Sequence, residues 1–172
     1  MAYAEGVHLT RTSENVDEID ALAARLGGRV GLDEVLDDLD RRGRRSLMRA
    51  RAVHRAYTFD AADRRDPRWW PQGVTTSADA SEEELVAGRR VVAVAWYAKD
   101  LPGDPADRTG QGSRITFFDL ATRRYRHVLL VRPVIRDGVA VIEPLRVHAG
   151  GIVWCGPYLH VAATARGFHT VR

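Results

Sequence analysis

Apolar residues recur at helical spacing only near the start of the chain. Val16, Ile19, Leu22, Ala23 and Leu26 share one face, and Gly27 and Gly28 end the pattern, which predicts an amphipathic helix. Ser13 is a candidate N-cap, followed by Glu14, Asp17 and Glu18, where negative charge suits the helix dipole. A second helix is expected from Leu32, with Val35, Leu36 and Leu39 as its stripe and Leu47, Met48 and Val53 continuing it past Gly43. From residue 57 the period changes to two. Strands are expected over 56–60, 73–77, 90–98, 113–120, 125–134, 139–142, 151–154, 158–163 and around 168–171. Asp137-Gly138 marks a hairpin turn. Polar loops are expected over 63–71 and 101–112, with an acidic surface insertion over 81–88. The pattern therefore predicts a mainly β protein with N-terminal helices, residues 1–56 forming a helical segment and 57–172 a β-rich domain of antiparallel strands.

Two corners repeat within that domain. Gln72-Gly73-Val74 and Gly150-Gly151-Ile152 each lead from a glycine through an aliphatic residue into strand, turn and strand. That order suits a four-stranded antiparallel propeller blade, whose opening strand runs close beside its neighbours. Gly150-Gly151-Ile152, Gly156, Leu159-x-Val161-Ala162 and Gly167-Phe168 resemble the blade phrase of six-bladed propellers of the NHL and lactonase-like kind. Residues 69–172 also resemble a group of uncharacterised actinobacterial proteins with a propeller-like domain. The shared phrases are Pro71-Gln72-Gly73-Val74-Thr75-Thr76-Ser77, Trp96-Tyr97, Tyr125-Arg126-His127-Val128-Leu129-Leu130-Val131 and His148-Ala149-Gly150-Gly151. The resemblance implies blade-like strands but brings no activity with it. Propellers close with ~4–8 blades, whereas these residues supply one blade and most of another. The expected resolutions are a partial propeller, a ring completed by several copies of the chain, or closure as a small barrel or sandwich under the N-terminal helices.

Composition narrows the function classes. The chain has 172 residues, 45% hydrophobic and 28% charged, which suits one folded domain with at most a small appendage. The longest apolar runs fall far short of the ~20 residues of a membrane helix, and no charged segment followed by an apolar one opens the chain. No membrane association and a cytoplasmic location are expected. One cysteine, Cys155, excludes a disulfide framework and a multi-cysteine zinc site. Net charge is +3, and Lys99 is the sole lysine. The acids Asp33, Glu34, Asp37, Asp38 and Asp40 precede the bases Arg41, Arg42, Arg44, Arg45, Arg49, Arg51 and Arg55. On a helix this order complements the dipole. The alternative reading is a basic helix for an acidic partner; a nucleic-acid partner is not expected.

Candidate chemistry is sparse. Trp154-Cys155-Gly156-Pro157-Tyr158 approaches a thioredoxin active-site phrase, but Tyr158 stands where the second cysteine belongs and a strand follows. His127, His148, His160 and His169 lie near the end of the chain without metal-ligand spacing, so neither a metal nor another cofactor is expected. Asp79, Asp100, Asp119 and Glu143 are candidate acids, but no sequence spacing groups them as a catalytic couple. By blade analogy, His148 and Gln72 occupy equivalent corners at a ligand-facing rim. Trp96, Tyr97 and Trp154 add aromatic surface near the same loops, beside Trp69 and Trp70. The expected function is a non-enzymatic ligand-binding or protein-interaction domain using Gln72, Trp96, Tyr97, His148 and Trp154. The alternatives are a metal-dependent lactonase-like hydrolase and a subunit of a larger assembly.

Overall fold

A computed structural model describes residues 9–47, 51–101, 103, 112–164 and 166–172. The chain separates into two compact units, the first running to Arg29 and including Pro133–Ile142, the second comprising Val30–Arg132 and Glu143–Arg172. In the first unit, α1 (Val16–Arg25) buries Leu22. The Arg25 guanidinium donates 2.5 Å to the carbonyl of buried Ala140. The helix starts after Asn15, a left-handed residue (φ 52°) with no side-chain cap bond, so Ser13 is not the cap. Asp17 and Glu18 supply the first-turn negative charge as expected.

The second unit holds α2 (Leu32–Asp37), β1 (Arg41–Arg42), β2 (Arg44–Arg45), β3 (Tyr57–Thr58), α3 (Ala61–Arg65), β4 (Trp69–Thr76), α4 (Ser77–Ala80), β5 (Val91–Ala98) and β6 (Ser113–Asp119). The long strand β7 (Arg124–Arg136) and β8 (Val139–Pro144) follow, their connected ends forming the hairpin already assigned to the first unit. β9 (Gly151–Cys155), β10 (Tyr158–Ala163) and β11 (Gly167–Val171) complete the order. The fold is mainly antiparallel β, its larger sheet curled into a half-barrel. That sheet runs β1-β7-β6-β5-β4, with β8 beside β7, and a smaller sheet runs β11-β10-β9.

The second predicted helix is much shorter than its apolar stripe suggested. α2 stops at Asp37, and the following arginines lie on β1 and β2. The sheet edge takes this segment: Arg41 and Arg42 pair with Tyr125 and Arg124 of β7, and the Gly43 N–H donates to the Arg123 carbonyl at 2.8 Å. A Cβ on Gly43 would come within 2.5 Å of the Phe118 ring and 2.9 Å of the Thr58 carbonyl, so the chain crosses the ring as flat backbone. Arg51 and Arg55 lie in turn and coil. Residues 48–50, with Met48 and Arg49, and most of the 101–112 loop lie outside the described residues. The loop expected over 63–71 is instead the short α3, capped by the Asp60 carboxylate accepting from the Asp63 N–H at 2.9 Å, and the start of β4.

Strand alternation builds the core. The inner faces of β9 and β10 lay Ile152, Trp154, Leu159 and Val161 against Val91, Ala93, Ala95, Ile115 and Phe117. The Phe117 and Trp154 rings meet edge to face at 5.9 Å. The two glycine corners touch: a Cβ on Gly73 would lie 2.9 Å from the Ile152 backbone nitrogen. β4 and β9 thus pass backbone against backbone, and the Trp154 N–H donates to Thr75 Oγ1 at 3.2 Å.

Candidate functional site

Every residue of β6 is buried. Its odd positions face the apolar core, and its even positions, Arg114, Thr116 and Phe118, face the segment 57–66. Phe59 plugs this second layer, its ring 4.8 Å from that of Trp96 and 5.2 Å from that of Tyr125. Beneath it lies a directional chain of hydrogen bonds ending on Asp63. The Trp96 indole N–H can only donate, and it donates to Thr116 Oγ1 at 2.7 Å. Thr116 lies 2.6 Å from His127 Nδ1, and His127 Nε2 lies 3.0 Å from Asp63 Oδ2. Because the carboxylate only accepts, Nε2 carries the imidazole proton and Nδ1 accepts from Thr116. Tyr125 donates to the same Asp63 oxygen at 2.5 Å and accepts from the Asp60 N–H at 3.0 Å.

Two arginines balance this carboxylate. Arg41 Nη1 stands 3.3 Å from Asp63 Oδ2, and Arg114 Nη2 stands 3.5 Å from Oδ1. The Arg114 guanidinium is sandwiched between Trp69 (4.2 Å) and Trp96 (4.8 Å), a cation–π arrangement in a desolvated layer. Its Nε and Nη2 are buried without a hydrogen-bond partner, so charge and ring contacts hold it in place of a fork on Asp63.

The ionisation states follow from these contacts. Burial alone would raise the Asp63 carboxyl, but the bonds from Tyr125 and His127 and the charge of Arg41 outweigh it and hold it below the usual range. Burial, with Asp63's charge opposing it, brings Arg114 down to about 10, which leaves it cationic at neutral pH. Burial, reinforced by the charge of Arg114, lowers His127. Burial and the bond to Asp63 push Tyr125 up.

The carboxylate–imidazole–hydroxyl order is that of a nucleophile relay. Thr116, however, is completely buried and already accepts from Trp96. The cluster anchors α3 and Phe59 on the sheet.

The residues predicted for a site are distributed differently. Trp96 lies in this covered layer and Trp154 in the apolar core, 3% exposed each, so neither reaches a rim. Gln72 is exposed on β4, its amide donating to the Pro71 carbonyl. Tyr97 and His148 do come together, their rings stacked at 4.2 Å. Trp70 is the register partner of Tyr97 across β4 and β5, so the two share a face. Trp70 is 46% exposed, with the Lys99 ammonium 5.1 Å over its ring. His148 also lines a hollow with Arg146, Val147, Ala163, Thr164 and Arg166. Cys155 is a free, exposed thiol at the end of β9. Among the described residues, no three His, Cys, Asp or Glu side chains converge as metal ligands, and no helix is long and apolar enough to cross a membrane.

Sequence reasoning missed Asp63, Arg114, Thr116 and Tyr125. The available signal was β6 itself, where Arg114 and Thr116 alternate with Ile115 and Phe117 beside the strongly apolar β5. No protein family, curated protein or solved structure matches the chain.

Proposed function

We propose that the chain is a non-enzymatic binding domain of propeller-like build, taking its ligand at the rim formed by Trp70, Tyr97, Lys99 and His148. The observation that carries this reading is the exposed aromatic and cationic ledge beside the paired glycine corners, with Tyr97 stacked on His148 and Lys99 over Trp70. In the blade reading, β4–β7 and β9–β11 are successive sheets whose opening strands meet at Gly73 and Gly151. Loops beside such strands are where scaffolds of this kind present binding groups. The covered Thr116 argues against the buried relay as a hydrolytic centre, because a substrate carbonyl has no route to its hydroxyl.

Trp70 is the exposed tryptophan, whereas Trp69, Trp96 and Trp154 are buried. Externally quenchable emission therefore reports the rim, and acylation of the sole lysine reports it independently. Ligands that occupy the rim should quench Trp70 and protect Lys99, and both effects should vanish in His148→Ala. A ligand that binds with neither change, or with unchanged affinity in Trp70→Ala and His148→Ala, overturns the assignment. Light scattering during size exclusion tests the ring-completing form, since a monomer at working concentration ends it.

A further inference from the structure

Beside the rim, Arg146, Val147, His148, Ala163, Thr164 and Arg166 line a hollow of about 220 Å³. Two arginines, a histidine and a threonine come from two chain segments, and among the described residues none that lines the hollow is acidic. The volume is below the ~300–1,000 Å³ of ordinary small-molecule pockets, so the hollow suits one compact head group. Arginine forks match tetrahedral oxyanions in geometry and charge, and the Thr164 hydroxyl can donate to an oxygen between them. A Cβ on Gly150 would lie 3.4 Å from Thr164 Oγ1, which places that hydroxyl at the glycine corner. The stacking on Tyr97 at 4.2 Å holds the His148 ring in one orientation.

We propose that this hollow binds a phosphoryl group, either as free phosphate or as the phosphate end of a small ester whose remainder lies on the Trp70–Tyr97 ledge. The proposal rests on the binding-domain reading and names the ligand class for it. Both sources share the phosphoryl chemistry, and an aromatic ester separates them by adding a ring for the ledge.

The test uses ³¹P line broadening of inorganic phosphate and of phenyl phosphate with the full chain. Succinate serves as a planar-carboxylate competitor. Wild type should broaden the phosphate line, and Arg146→Gln and Arg166→Gln should each weaken binding about tenfold or more, as expected for loss of one charge-assisted contact. Arg90→Gln, which removes an exposed arginine paired with Glu84 elsewhere, should bind like wild type. Equal losses in Arg90→Gln and Arg166→Gln, no broadening by wild type, or full displacement by equimolar succinate would overturn the phosphoryl assignment. Phenyl phosphate that binds more tightly and quenches Trp70 supports the ester form; equal affinity with unchanged emission supports free phosphate. Quenching of Trp70 by an uncharged ligand in a protein that ignores phosphate sinks this inference and leaves the rim standing.

Discussion

The two faces of β6 are equally buried and held by opposite physics. Ile115 and Phe117 meet Trp154, Leu159 and Val161 in the apolar cluster. One residue away, Arg114 and Thr116 face Trp69, Trp96, His127 and Asp63. Apolar contact is non-directional and tolerates repacking. The polar face has an assigned direction for each proton from Trp96 through Thr116 and His127 to Asp63. A one-residue slip of β6 would exchange the faces, putting Arg114 into the apolar cluster and Phe117 against Asp63. The polar layer thus fixes register as much as it stabilises.

Damaging each face of β6 once and measuring the losses by denaturant unfolding separates the two kinds of contact. Trp154→Ala should cost the most, about 3–5 kcal/mol, because the indole fills the space between the sheets. Asp63→Ala should come next at about 3 kcal/mol, because Arg114 then loses its carboxylate neighbour in a dry layer and Tyr125 and His127 lose their acceptor. The double change Asp63→Leu with Arg114→Met should cost less than Asp63→Ala alone, since the stranded charge goes too. A double variant as unstable as the sum of the separate changes would show that the layer packs rather than pairs.

The apolar face was legible in the sequence and the polar face was not, for the same reason. Alternation of Val, Ile, Ala and Phe against turn residues marks β5, β6, β9 and β10 within a residue or so, and the two glycine corners identify chain segments that touch. Asp63 and His127 are 64 positions apart and come together only once α3 folds over the sheet. α3 has five residues, too few to show a helical stripe. Residue type alone makes Trp96 and Trp154 look like site residues, but large aromatics are the residues a core consumes first. The stripe continued past Gly43 looked helical because spacing alone does not reveal the β7 edge that pairs with Arg41 and Arg42. Tyr97 and His148 were legible because the corner phrase and the end of β5 each pointed to one place.

A finer cut isolates direction from burial. Thr116→Val keeps the shape and removes the hydroxyl, leaving the Trp96 N–H without its acceptor and His127 Nδ1 without its donor. The expected cost is about 1–2 kcal/mol. Thr75 supplies the counterpart at the corner, where it accepts from the Trp154 N–H and donates to the Asp79 carboxylate. Thr75→Val should leave the near-ultraviolet signature of the Trp96 layer unchanged, whereas Thr116→Val alters it. If both variants perturb that signal alike, the relay is not separate from the rest of the core.

The smallest effect reads the same contrast through pH. His127 titrates below its ordinary 6.5 in the folded chain because burial and Arg114 disfavour its cation. The unfolded chain therefore binds that proton first, and stability falls as pH drops from 6.5 toward the lower folded value, then levels. His169 is also lowered, by burial and by Arg132, and adds to the same window. Asp63 is held below 3.8, so its stabilisation is present above that pH and is lost as pH falls through the folded value. Asp79, lowered chiefly by the Thr76 N–H, contributes to this second window. Protonating His127 also reverses its bond to Thr116, whose oxygen already accepts from Trp96. His127→Gln should therefore flatten most of the decline that begins near pH 6.5 and leave the acid limb, while His169→Gln leaves most of the decline intact. The reverse ranking in urea midpoints between pH 7.5 and 5 would place the titrating group in the smaller sheet, and the polar layer of β6 would then be insensitive to the proton it is built around.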